Sequence, residues 1–346
     1  MRGIRVSAIL LWLAILSLAA GCSRRAIEAG SPNQPTALQS PAERVSPLPE
    51  CNPEAVVWAA PEPPENPDAG DVWVNPRDGM EMVFIPAGEF LMGTSDAEIE
   101  AWVKEHPKDN RKWFADQQPQ CRVQLPGYWI GRTEVANANY LRFVEATGRP
   151  APDYWEGGKI PAGMENRPMI IITWEEARAY CEWAGGHLPT EAQWEKAARG
   201  TDGRAFPWGN QWDRNRCRNF SLILEKDFSS EDEQLLALAN WMQEHNPEEE
   251  GLAAAGSYPA GASPYGSMDM AGNVMEWCAE WYEAGAYKRY AASDLTSPQS
   301  GKERSIRGEC YMSGSPFRFR CATRIQMSPA EASANLGFRY VREAAR

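Results

Sequence analysis

The chain predicts an α+β domain with unusually high loop content, and three observations carry that prediction. Capping boxes mark several short helices, few stretches alternate as strands do, and 15 Trp accompany 28 Gly in 346 residues. So many large rings suit a fold that wedges them between irregular segments. Hydrophobic residues make up 43% and charged residues 24%, enough for a real core. The 35 Lys+Arg against 47 Asp+Glu give a formal net charge of −12, which argues against nucleic-acid binding.

The elements follow in chain order. Arg2 and Arg5 precede an uncharged run, Val6 to Ala20, that ends in Leu18-Ala19-Ala20-Gly21-Cys22. Residues 1–22 thus read as a secretory signal with a lipobox-like end, in which Cys22 takes the lipid. Simple cleavage and an uncleaved anchor are the other readings, although about 20 apolar residues are needed to span a membrane. Ser23 after the Cys favours the outer membrane of a bacterial cell envelope. Eleven of the 27 prolines fall between Ser31 and Pro76, so residues 23–75 read as a stiff tether without buried surface. The folded domain is expected over 76–343.

Met80 to Phe90 is an apolar stretch stopped by Pro86-Ala87-Gly88, a strand and turn. Ser95 with Glu98, Thr173 with Glu176 and Thr190 with Gln193 are capping boxes. Their expected inward faces are Ile99, Trp102 and Val103, then Ala177, Tyr180, Cys181 and Ala184, then Trp194, Ala197 and Ala198. Asn137 is expected to cap a fourth helix, with Leu141 and Val144 inward. Ser230 with Glu233 opens a fifth, carrying Leu235, Leu238 and Met242. Acidic stretches flank it, so residues 225–250 read as a solvated helical insertion.

Common catalytic signatures are missing: no G-x-S-x-G, G-x-x-x-x-G-K, H-E-x-x-H or G-x-G-x-x-G occurs. His106, His187 and His245 stand far apart in sequence, which gives a His-held iron little support. If Cys22 carries a lipid, Cys51, Cys121, Cys181, Cys217, Cys278, Cys310 and Cys321 remain, an odd number with no C-x-x-C pair. Arg318, Arg320 and Arg324 alternate with core-sized residues; they either line a groove for an anionic or peptide ligand or stitch loops together. Asp269 and Glu276 flank a Gly-Asn turn, and two carboxylates so placed converge if the chain loops round a hard cation. The other reading has Asp269 capping a turn and Glu276 paired with an Arg.

Several stretches together resemble the formylglycine-generating enzyme (sulfatase-modifying factor) family. They are Gly79 to Gly88 with Met92-Gly93, Trp129 to Val135, Gly186 to Glu195, Pro207-Trp208-Gly209, Asp269 to Trp277, and Asn335 to Arg339. The resemblance implies a single domain, distantly like C-type lectins, with low regular secondary structure and bound calcium. It places one calcium on the Asp269 side chain, the Gly272 and Val274 carbonyls and the Glu276 side chain. A second ion would use Asn219 and Phe220, but its other ligands fall where the acidic insertion stands.

The family's activity, oxidation of a sulfatase Cys to formylglycine, uses copper held by two thiolates. Here Ser313 and Pro316 stand nearest those positions, and neither supplies one, so copper is not expected. Cys310 falls at a family Ser position. Cys321 and Cys181 match halves of family disulfides whose partner positions are Ala198 and Tyr340. The expectation is therefore an exported, lipid-tethered binding or assembly module for an unidentified protein, peptide or glycan. The alternative is a formylglycine-generating or related oxidase that has relocated its metal ligands.

Overall fold

The computed structural model describes residues 62–344, so the leader, Cys22, Cys51 and most of the tether lie outside the described residues. Ten strands are described, in chain order: β1 (Val72–Val74), β2 (Glu81–Ile85), β3 (Gly88–Met92), β4 (Cys121–Leu125), β5 (Tyr128–Gly131), β6 (Met275–Trp281), β7 (Arg304–Arg307), β8 (Ile325–Met327), β9 (Leu336–Gly337) and β10 (Val341–Glu343). The helices are α1 (Asp96–Glu105), α2 (Asn137–Thr147), α3 (Trp174–Trp183), α4 (Glu191–Arg199), α5 (Phe220–Ile223), α6 (Glu231–Glu244) and α7 (Ala286–Ala291).

β2 and β5 are apolar runs buried on both faces, as central strands read. They pair antiparallel in a four-stranded sheet of order β1-β2-β5-β10. β3 and β4 form a separate two-stranded ribbon, and the second four-stranded sheet has the order β8-β7-β6-β9. The expected strand and turn at Met80 to Phe90 is β2, the Pro86-Ala87 turn and the start of β3. The domain begins earlier than residue 76: β1 pairs with β2, Val72 opposite Val83, and Trp73 lies 6.1 Å from Trp129. A three-residue edge strand with both valines exposed carries no alternation long enough to read.

The capping boxes at Ser95, Thr173 and Thr190 all form. Ser230 caps α6, but Glu233 turns to Ser229 instead of closing a box. Asn137 does not cap α2. It is the first helical residue, buried, donating to the Met164, Arg167 and Pro168 carbonyls, while Asn139 accepts from the Ala136 N–H. The frame moves with it, so Tyr140 and Phe143 face inward in place of Leu141 and Val144.

α4 is buried along its whole length, from Glu191 to Arg199. Its apolar side, Ala192, Trp194, Ala197 and Ala198, packs among β2, β3, β4, β5 and Tyr287. Burying a side chain as large as Trp194 contributes on the order of 2–3 kcal/mol. Its charged side is buried too, and every charge has a partner. Glu191 takes a bidentate pair from Arg324, 2.7 Å to each oxygen. Glu195 accepts from Arg199 and the Gly93 N–H at 2.7 Å, from the Tyr287 hydroxyl, and from Arg307. Lys196 donates to the Pro86 and Gly88 carbonyls, and burial pushes its amine down to about 8. The arginines at 318 and 324 stitch loops to α6 and α4 rather than lining an open groove.

Candidate functional site

The Asp269–Glu276 segment owes its shape to three left-handed residues, Asp269, Gly272 and Asn273, with φ of 55°, 83° and 61°. Gly272 must be glycine, since a Cβ there would stand 2.3 Å from the Arg218 carbonyl. The Gly272 N–H donates to Gly308, the Asn273 N–H to Arg218, and the Tyr311 N–H to the Asn273 carbonyl. The loop is thus pinned on two sides before β6 begins.

Three carboxylates are buried around it: Asp269, Glu276 and Glu134. Arg339 is their one guanidinium partner. Its Nε and Nη2 reach Glu276 Oε2 and Oε1 at 2.7 Å, and the Trp194 indole donates to the same Oε2 at 2.8 Å. Asp269 accepts the Gly256 N–H, and Glu134 accepts from the Asn273 amide at 3.0 Å. The second Glu134 oxygen takes no hydrogen bond from an N–H or hydroxyl, and the Glu134 and Asp269 carboxyls lie within hydrogen-bond reach of each other. Burial first, and then the Asp269 charge, pushes Glu134 well above the usual carboxylate range; burial likewise raises Asp269.

These residues fit a hard cation in donor type and charge. Once Arg339 is matched to Glu276, the Asp269–Glu134 pair has no cation of its own, and a divalent ion would balance it. Among the described residues no three His, Cys, Asp or Glu side chains converge to hold a metal by themselves. An ion here would therefore need the Gly272 and Val274 carbonyls as well as Asp269. Glu276 fits least, because Arg339 covers both its oxygens. The sequence reading missed Glu134 and Arg339; the only signal was a carboxylate and a guanidinium inside two apolar words, Trp129 to Val135 and Leu336 to Arg339.

In the second pair each oxygen already accepts one hydrogen bond. Asn219 caps α5, accepting from Leu222 while its amide donates to Arg214 and Cys217, and the Phe220 carbonyl accepts from Leu224. The three histidines stay apart: His106 stacks on Trp102, His187 meets Glu343, and His245 stacks on Trp241.

In the 309–316 window, Ser313 is fully buried and Pro316 half-buried at the start of a 3-10 turn. The acidic insertion is not simply solvated. α6 lies over the window, with Leu238 and Trp241 buried beneath it. Its Gln234 amide donates to the Met312 carbonyl at 3.2 Å and its Oε1 accepts the Gly314 N–H at 3.0 Å. Cys310 is buried, and that burial first, then Glu309, raises its thiol well above the ordinary range. All six described cysteines are unpaired.

Comparison with known proteins bears on this arrangement. The family profile described as a sulfatase-modifying factor enzyme 1-like domain matches residues 69–344. The formylglycine-generating enzyme of Streptomyces coelicolor is 30% identical over 333 residues, 83% of this chain and 96% of that protein. The hercynine oxygenase of Mycolicibacterium smegmatis is 29% identical over 262 residues, 65% of this chain and 53% of that protein. Among solved structures, PvdO from Pseudomonas aeruginosa is similar with a TM-score of 0.58 at 22% identity, over 80% of this chain and all of that one.

Proposed function

The chain belongs to the sulfatase-modifying factor family, and on that premise we propose a calcium-stabilised binding or assembly module in place of a formylglycine-generating oxidase. One observation carries the reading. The two places where the resemblance puts thiolates hold Ser313 and Pro316, under a helix whose Gln234 clamps the backbone on either side of Ser313. A hydroxyl and a ring without a donor are poor ligands for Cu(I), which prefers thiolate. The relatives' activities keep a relocated oxidase as the alternative, and the experiment separates the two. Reduced protein incubated with copper, oxygen and a Cys-x-Pro-x-Arg peptide should give no aldehyde product by mass spectrometry. Catalytic aldehyde formation abolished by Cys310→Ser would replace this reading with the oxidase.

Calcium supports the module by joining Asp269 to the Gly272 and Val274 carbonyls and relieving the Asp269–Glu134 repulsion. Both carboxyls have raised values without the ion. Their contribution to metal-free stability is therefore full below the ordinary carboxylate range and fades as pH rises through the raised values. Bound calcium holds both ionised and should cancel that loss, releasing protons as it binds. At about 100-fold over its dissociation constant the ion should add about 2.7 kcal/mol. A melting temperature indifferent to chelator at pH 8, or an Asp269→Ala variant that keeps the full calcium response, would remove the ion from this account. Export and a lipid on Cys22, with a membrane as partner, rest on the leader composition; an unchanged membrane fraction in Cys22→Ala counts against them.

A further inference from the structure

We propose that residues 225–251 form a releasable cap, held by charge, over a reactive-thiol site centred on Cys310. The inference does not depend on whether the domain binds calcium or lacks oxidase activity.

The covered site is unlike ordinary core. Glu309 sits in the left-handed region at φ 57°, where a glutamate is strained. Its Oε1 accepts the Cys310 N–H at 3.1 Å and lies 3.5 Å from the thiol sulfur. Its Oε2 is buried with no hydrogen-bond partner, and Arg318 stands 3.9 Å away. The Asn335 amide approaches the same sulfur at 3.5 Å. The Tyr311 hydroxyl is also buried without a partner. An unpartnered buried hydroxyl costs about 1–3 kcal/mol, and Glu309 Oε2 has only a long ion pair; a packing role for Cys310 would need neither feature. With the cap closed, burial and the Glu309 charge keep the Cys310 thiol protonated; once the cap lifts and water reaches the sulfur, Glu309 can take its proton and the Asn335 amide can steady the anion.

The cap is fastened by polar groups together with a short apolar seam. Between Glu225 and Glu250 it carries nine acidic residues against Lys226 alone. The face beneath is cationic. Arg318 pairs with Glu231 at 3.0 Å and Arg214 with Asp227 at 3.1 Å. Arg218 donates to the Glu250 and Gly251 carbonyls, Arg167 to that of Glu249, and Lys108 to that of Ser229. The apolar seam is short: Phe228 stacks on Phe220, Trp241 meets its edge, and Leu238 and Trp241 are buried. The closed fit is tight, since a Cβ on Gly251 would stand 2.1 Å from the Tyr311 ring, and one on Gly314 2.6 Å from Phe228. Exposed ion pairs weaken with salt, so ionic strength should loosen this cap before it loosens the core.

The test is labelling of the reduced full-length protein with N-ethylmaleimide, followed site by site by mass spectrometry. Half-buried Cys121 reports reagent activity, and fully buried Cys278 and Cys321 report global unfolding. Raising salt from low to about 1 M, where charges are screened beyond roughly 3 Å, should speed Cys310 labelling at least tenfold while Cys278 and Cys321 stay protected. Arg318→Glu should do the same at low salt, and Gln234→Ala serves if that variant does not fold. Equal rates for Cys310 and Cys278 in wild-type protein at every salt concentration would overturn the cap, because Cys310 would then react only through global unfolding.

Discussion

Replacing Glu195 by alanine is expected to cost the domain about 3–5 kcal/mol, the usual penalty for breaking a buried ion pair from one side. The variant leaves the fully buried Arg199 and Arg307 guanidiniums without their shared anion and frees the Tyr287 hydroxyl and the Gly93 N–H. Urea denaturation should show a lower midpoint with an unchanged slope, if it folds at all. A loss under 1 kcal/mol would mean that water or a rearranged Glu98 takes over the pairing.

The same network sets an acid limit. Burial opposes ionisation of Glu191, but Arg324 and then Arg307 outweigh it and bring the carboxyl down to about 2. Glu195 is lowered similarly, by Arg307 and Arg199 against burial. The stabilisation from Glu191 is complete above the ordinary value of 4.5 and fades as pH falls toward about 2, and that from Glu195 is lost in the same direction. Glu280 works in the opposite sense. Burial, and next the Glu191 charge, push it up to about 8, even though both its oxygens accept the Glu191 N–H at the start of α4. Its contribution is complete below 4.5 and is lost as pH rises through about 8.

The second large effect is expected from Arg339→Leu. Leucine approximates the stem but removes the one guanidinium that, among the described residues, stands beside Glu276, Asp269 and Glu134, together with donors to the Gly131 and Met268 carbonyls. Without calcium the loss should again be about 3–5 kcal/mol. It should grow as pH rises through the raised values of Glu134 and Asp269, because at lower pH the two shed their mutual repulsion by protonating. Added calcium should recover part of it. Paired melts with calcium and with chelator across that pH range measure this, and a loss that ignores both variables would place Arg339 outside the electrostatics of the loop.

How far the sequence could be read depended on the range of the interaction. The boxes at Ser95, Thr173 and Thr190 are chemistry between residues three apart, so they could be seen without the fold. The Asp269–Glu276 turn was legible because its two carboxylates stand only seven residues apart. α4 was not: Glu191, Glu195, Lys196 and Arg199 look like a wet face until Arg307 and Arg324 arrive from over a hundred residues away. Glu134 stayed hidden because its neighbours in space come from the far end of the chain. The acidic run at 225–250 read as solvated since its cationic counterparts, Arg167, Arg218 and Arg318, lie scattered outside it.

The strand registers also settle where the domain's two ends lie. Val72, Val83, Ile130 and Val341 stand in one line across the first sheet, and Glu343, Tyr128 and Ile85 stand in another. Gly70 bonds to Phe84 just before β1, so the chain enters at the same end of the sheet from which β10 leaves. Three strand spacings separate the two points, about 14 Å, and Glu62 comes within 3.4 Å of Arg342. Five or more residues reach across that gap. Topologically the domain is then nearly a closed ring. It should accept circular permutation, with new termini opened at the exposed Gln299–Ser300 bond, or insertion whole into a surface loop of a host protein without prying the host apart.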